Sequence, residues 1–571
     1  MAIRGEEEFL NLPFQEKLEF LYGLPARQKR DLILSAPEAE RLVQSFSPET
    51  LFYTVKEIGV SDAGDLLSMA IPEQIKALFD LDCWRKDRAD LGRMREWIEV
   101  MAEAGRRRMT DALMELDLEM VTLLLRTYIR VHRLDEAQAA LDVLSRQVMQ
   151  FDEHYVVEFI RHDNILPLVQ EFLEEVFERD YDYFASLMEE IYWGVEAELE
   201  EAAYQFRRTR LGDQGFPDYF DAQGVFAYLN PQKFFEIRAG YVAPSREDLL
   251  SEEAMLAPEM ALIEPGVDNS LLTAALTAGF AAPGKRQLRS EMAMVTNEVL
   301  VARAIDFGDL DAVRTAVEMT HHCLNLGLEH LAGGDLKTAI ESLRDTHLKL
   351  LFRLGVSLTI DLRKRAEAIV ARLGITRGAA GGREISYLDS PYREALAGFT
   401  QTMPQFFAGL DGKGAVTMRD FGQMRDLHVA YAILDQIEAT RELFGALLAI
   451  DIGAPGFRAE VAGRDVHLSE ILLTALVQKA MGGPLRPEPI DARRLSQVRT
   501  ILTGGLDRPA RLSDKFRDLV SETLAAKLER ATLERAGNFV NSCLNMIEEE
   551  FSELEPEIDP RYIRSLLLRR A

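Results

Sequence analysis

An all-α, multi-helical fold is predicted for this 571-residue chain, with a superhelical repeat of short helices at the N-terminus and helical-hairpin domains beyond it. Three observations predict it. Prolines recur at near-constant spacing through the first 85 residues, apolar residues follow a helical period through most of the rest, and convincing alternating runs that would mark strands are few. The length exceeds what one hydrophobic core usually organises, so roughly two to five domains or one extended superhelix are expected.

The repeat is read from Pro25, Pro48 and Pro72, which open LPARQKRDLILSA, SPETLFYTVKEIG and IPEQIKALFDLDC at intervals of 23 and 24 residues. Proline is tolerated in the first helical turn because the N–H it lacks would have no intrahelical partner there. Seven residues after each proline stands Leu32, Val55 or Phe79, the same position in three equivalent helices. Shorter helices are expected between them, after Pro37 and after Ser61, with Ser61 placed to cap the second. A two-helix unit of about this length cannot bury its apolar face alone, and stacking on its neighbours solves that.

The stretch LPARQKRDLILSAPEAERLVQSFSPETLFYTVKEIGVSDAGDLLSMAIPEQIKALFDLD resembles the cytoplasmic N-terminal superhelical domain of MgtE-type magnesium transporters, over residues 12–85. In that family the domain is regulatory, precedes nucleotide-binding-like modules and a membrane channel, and takes part in magnesium sensing. The resemblance implies a fold and a regulatory role. Nothing in the chain looks like the membrane portion, and no magnesium-binding residue can be matched, so transport is not carried over.

From 87 to 150 the pattern reads as longer helices, RMREWIEVMAEA, DALMELDLEMVTLLLRTYIRV and LDEAQAALDVLSRQVMQF. Residues 167–201 hold twelve acids and one arginine, with an apolar stripe from Leu173 to Tyr192 and a solvated acidic face opposite. At 206–245 glycines, prolines and nine aromatics replace the helical period, as expected of a connector pinned by apolar anchors or of a cleft wall. Punctuation near 261–269, 374–382, 453–465 and 482–489 separates further helices. The expected domains are 1–86, 87–205 with the acidic face, 206–260 as connector, 261–374 with a helical hairpin, and 375–571 as a C-terminal helical region.

Ninety-four acids against 66 bases give a formal charge of -28, which disfavours nucleic acid and anionic membranes as partners. Three scattered cysteines lack metal or redox spacing and read as reduced thiols. MAIRGEEEF has no apolar signal run, and LLTAALTAGFAA at 271–282 is too short to cross a bilayer. No transmembrane segment and a cytoplasmic location are therefore expected.

Four of nine histidines fall in THHCLNLGLEHLAGGDLKTAIESLRDTH, residues 320–347. Two helices joined at GGD would bring His347 toward His321 and His322, beside Glu318 one turn away. Glu318, His321, His322 and His347 form a candidate divalent-metal set, imidazole plus carboxylate suiting zinc or iron. His330 drops out, eight residues of helix being about 12 Å from His322. The competing reading is a packed, tetratricopeptide-like hairpin. His154, Glu158 and His162 would form a line if helical. Arg207, Arg208 and Arg210 could bind an anion or acidic partner, or answer the acidic helix just upstream.

Phosphate-loop, dinucleotide, nucleophile-elbow and H-E-x-x-H motifs are absent. No cofactor is expected beyond the candidate metal. The sequence thus favours a cytoplasmic helical-repeat interaction or regulatory protein that binds another protein. An enzyme or metal sensor built on the 318–347 hairpin is the alternative, and a self-assembling structural subunit, a homo-oligomer, is a third.

Overall fold

The computed structural model describes residues 6–22, 24–134, 148–213, 215–241, 270–280, 282–373, 387–412, 416–454, 466–505, 511–553 and 558–569. The fold is all-α and multi-helical, with 26 helices among the described residues. No helix among them is long and apolar enough to cross a membrane. The chain divides into two compact units.

The first unit comprises residues 1–227, 235–324 and 335–353. It begins with short helices at Glu6–Leu10, Phe14–Tyr22, Ala26–Ser35, Ala39–Gln44, Pro48–Ile58, Gly64–Met69 and Pro72–Asp82. Pro48 and Pro72 sit in the first turns of their helices, and Pro25 stands just before the first turn of Ala26–Ser35. Ser47 Oγ accepts the Thr50 N–H at 3.3 Å, while Gly59, at φ 107°, ends that helix. The Ala26–Ser35 helix packs on Pro48–Ile58, which packs on Pro72–Asp82, and Ala39–Gln44 packs on Gly64–Met69.

Val55 and Phe79 are buried, but Ile33 rather than Leu32 fills that place in the earliest helix. Ser61 does not cap its helix; it lies in the 3-10 turn Val60–Asp62. Polar groups lock neighbouring segments together. The buried Gln74 amide donates to the Val43 and Phe46 carbonyls at 2.9 and 2.8 Å, and Arg30 pairs with Asp65 through two nitrogens.

DALMELDLEMVTLLLRTYIRV does not form one helix. Helices Arg106–Glu115 and Leu118–Leu125 break at Asp117, and Ile129–Arg133 is a strand. It joins Tyr155–Phe159 and Val148–Gln150 in an antiparallel sheet with Tyr155–Phe159 central, Val157 facing both Val131 and Met149. Four of the five residues of that central strand are buried, so it carries no alternation to betray it. The His154–His162 line is overturned by the same strand, since its central member lies in extended chain; Glu158 instead meets His132 Nε2 at 3.0 Å across the sheet. Most of LDEAQAALDVLSRQVMQF lies outside the described residues.

The acidic region folds as Leu166–Arg179, Tyr181–Trp193 and Glu196–Asp213, with Asp180 capping the middle helix through the Tyr183 N–H at 2.9 Å. The last helix continues through residue 206 without a break. Beyond it Phe216 is buried against Phe307, their rings 5.1 Å apart, so this aromatic is an anchor.

The second unit comprises residues 228–234, 325–334 and 354–571. Its core is one continuous apolar cluster running from Leu326 to Leu567. Two long helices, Met424–Leu448 and Arg530–Glu553, pack together at its centre, with Leu468–Ala480 against the latter. Two-residue ladders pair Phe406–Phe407 with Met418–Arg419 and Ile490–Asp491 with Leu568–Arg569.

Candidate functional site

Helix Pro72–Asp82 ends in two buried carboxylates, Asp80 and Asp82, 4 % and 2 % exposed. A helix C-terminus repels anions, so each needs cations brought from elsewhere. Asp82 receives Lys56 Nζ at 3.1 Å, Arg93 Nη1 at 2.8 Å and the Trp97 indole N–H at 2.9 Å. Arg93 then reaches Asp306 through both terminal nitrogens, at 2.9 and 2.6 Å. Asp306, Phe307 and Gly308 form the turn before helix Leu310–Ala332: Asp306 accepts the Gly308 N–H at 3.0 Å, and Asp309 accepts the Ala312 N–H at 3.1 Å.

Gly308 lies flat against this network. A Cβ there would stand 2.2 Å from Asp82 Oδ1, 2.9 Å from Arg93 Nη1 and 3.0 Å from Lys56 Nζ, so any larger residue would push the network aside. Around it opens a cleft of about 610 Å³, whose charged walls include Lys56, Arg93, Asp306, Asp309 and Arg314. Among the described lining residues there is no serine, threonine, cysteine or histidine; the walls supply charge and hydrogen bonds from a lysine, two arginines and four carboxylates.

Burial opposes ionisation of Asp306, but the Arg93 guanidinium and the Gly308 N–H outweigh it and hold this carboxyl below its ordinary range. A depressed folded value stabilises the fold above the unfolded pKa of about 3.9, and the contribution is lost as pH falls through the folded value. Urea midpoints of the native chain are therefore expected to drop below about pH 4, and Asp306→Asn to show a shallower acid limb. With 38 % of its side chain exposed, solvent screening keeps that difference small. Identical acid limbs would show that Asp306 is not part of the pH response.

Asp80 gathers the arginines singled out in the sequence. Arg210 binds Asp80 at 2.6 and 2.8 Å and Asp117 at 2.9 and 2.6 Å; Arg207 donates to the Asp80 carbonyl at 2.7 Å and stacks over Trp84. Arg208 pairs with Asp218 at 2.9 Å. Burial pushes Arg207 down to about 10, which leaves it charged at neutral pH. Burial also acts on Arg210, but the two aspartates outweigh it and raise its value. The acids that answer these arginines are thus Asp80, Asp117 and Asp218, not those of the helix just upstream.

The histidine region is a hairpin, with Gly333 and Gly334 in left-handed conformations and Asp335 accepting the Thr338 N–H at 2.8 Å. Its second helix is shorter than expected. Leu336–Asp345 stops at Thr346, whose extended backbone (φ −128°, ψ 130°) breaks the chain before helix Leu348–Arg372. His347 therefore sits in the break, its Nδ1 3.7 Å from Glu291 and its ring 5.6 Å from Tyr241. His321 Nε2 lies 3.4 Å from Thr273 Oγ1, the His321 and His322 rings are 6.4 Å apart, and Glu318 is exposed. Among the described residues no group of three or more His, Cys, Asp or Glu is arranged to hold a metal, so the Glu318, His321, His322 and His347 set gains no support.

The Asp82 network escaped the sequence reading. Its one local signal is a D-x-D at a helix end followed by Arg93 and Trp97 on one face of the next helix; Lys56 and Asp306 come from far along the chain. No curated protein and no solved structure matches the chain. The match that does exist runs almost end to end, over residues 6–569, and by it the chain belongs to the family of unknown function DUF6178.

Proposed function

We propose that this is a helical-repeat interaction protein whose N-terminal segment, a superhelix of short helices, presents its surface to another protein. The observation that carries the reading is the stacking order: Ala26–Ser35 on Pro48–Ile58 on Pro72–Asp82, with Ala39–Gln44 on Gly64–Met69 alongside. Stacked units of this kind form extended surfaces suited to partner binding. The resemblance of residues 12–85 to a regulatory superhelical domain points the same way. So does a cleft whose lysine and arginines are already paired with carboxylates.

The test is in-cell cross-linking of the full-length chain read by mass spectrometry, beside a surface variant carrying Arg27→Glu, Asp31→Lys and Leu34→Asp. All three positions are exposed on the Ala26–Ser35 helix. A heterologous protein is expected to cross-link within 26–82, with a yield at least about fivefold lower in the variant, a loss of roughly 1 kcal/mol of binding. Absence of a protein partner, or cross-links indifferent to the variant, would overturn the reading.

A further inference from the structure

We infer that the turn joining helices Tyr181–Trp193 and Glu196–Asp213 is a docking surface for a basic, amphipathic segment of a partner protein. This deepens the protein-binding reading and rests on it. Trp193 is 65 % exposed and Val195 54 %, adjacent large apolar side chains turned to solvent on either side of Gly194. The ring that Trp193 touches is Tyr192, perpendicular at 4.6 Å.

The turn is rigid. The Gly194 N–H donates to the Glu190 carbonyl at 2.9 Å, the Gly194 carbonyl accepts from Arg126, and the Val195 carbonyl accepts the Glu198 and Leu199 N–H groups at 2.9 and 3.0 Å. A Cβ at residue 194 would lie 2.5 Å from the Glu190 carbonyl oxygen, so glycine is required for so tight a connection. Holding an aromatic in its bound geometry beforehand lowers the ordering cost of association, and tryptophan is the side chain most enriched among dominant interface contacts.

Charge selects the occupant. Residues 180–206 contain eight acids and no lysine, arginine or histidine. Glu196 and Glu198, beside the turn, are exposed, and Glu190 is half-buried beneath it. A second copy docking the same patch on itself would set these carboxylates against their own kind. An anionic bilayer is repelled for the same reason. A segment that offers an apolar face to Trp193 and Val195 with lysines or arginines at its edges satisfies both features.

The probe is a synthetic Leu/Lys amphipathic peptide of about 18 residues, five helical turns, beside a Leu/Glu peptide of equal length. Both are titrated against the full-length chain. Trp84 and Trp97 are buried, so a blue shift of tryptophan emission on binding reports Trp193. The Leu/Lys peptide is expected to bind with that shift and to weaken as salt rises, while the Leu/Glu peptide does not bind. Trp193→Ala should raise Kd about tenfold, and Glu196→Gln with Glu198→Gln should raise it and flatten the salt dependence. Thermal melts establish that each variant is folded.

Equal binding of both peptides, or Leu/Lys binding indifferent to Trp193→Ala, would overturn the inference. So would self-association, or binding to neutral lipid vesicles, that Trp193→Ala abolishes, since the occupant would then be a second copy or a bilayer. The Arg27→Glu, Asp31→Lys, Leu34→Asp variant should keep full peptide affinity. If it loses partner cross-links yet keeps the peptide, both proposals stand; if peptide specificity fails while cross-links within 26–82 persist, this inference alone falls.

Discussion

Asp82→Ala is expected to destabilise the first unit by about 3 to 5 kcal/mol, the range for removing one partner of a buried charge cluster. The carboxylate is 2 % exposed and accepts from Lys56, Arg93 and Trp97. Its loss leaves two cations facing one another and a buried indole N–H without an acceptor, while Asp306 can answer Arg93 alone. Asp82→Asn keeps an acceptor for Trp97 but removes the charge, so an intermediate loss is expected. Urea unfolding followed by tryptophan fluorescence reads both, because all three tryptophans lie in the first unit and report its transition even where the chain does not unfold in one step. A loss under about 1 kcal/mol for Asp82→Ala would mean that the neighbours re-pair without it.

Phe444→Ala is expected to cost the second unit about 3 to 5 kcal/mol. Phe444 is fully buried on helix Met424–Leu448, its ring 6.4 Å from Phe539 of helix Arg530–Glu553, and Phe539 in turn lies 6.1 Å from Tyr392. Truncation removes both the transfer free energy of the ring and the contacts of the atoms around the void, and two packed helices cannot move together to close it without disrupting their other contacts. Val416→Ala is the control: at 80 % exposed it should shift stability by no more than about 0.5 kcal/mol. Similar denaturation midpoints for the two variants would count against a single tightly packed core in this unit.

The helix starts at Pro48 and Pro72, the Gly333–Gly334 turn and the Asp335 cap were legible because each depends on residues within one turn. Reading failed where local preference was outvoted. Ile129–Arg133 follows a helical run directly and is drawn into a strand by Tyr155–Phe159, a partner more than twenty residues away. Thr346 ends a helix that periodicity would have carried through His347, so the facing geometry assumed for that histidine was lost with it.

The candidate sites divide the same way. Eight acids without a base in residues 180–206, an acidic chain and a run of short proline-led helices belong to the sequence alone, because composition and helix initiation are local properties. Tertiary structure decided that Trp193 faces solvent while Trp97 serves a buried carboxylate, and that Arg210 closes on Asp80 and Asp117 instead of waiting for a ligand. It also decided that Lys56, Asp82, Arg93 and Asp306 meet against Gly308. Burial and charge pairing are set by which distant segments share a core, and the spacing of residues along one segment carries no record of that.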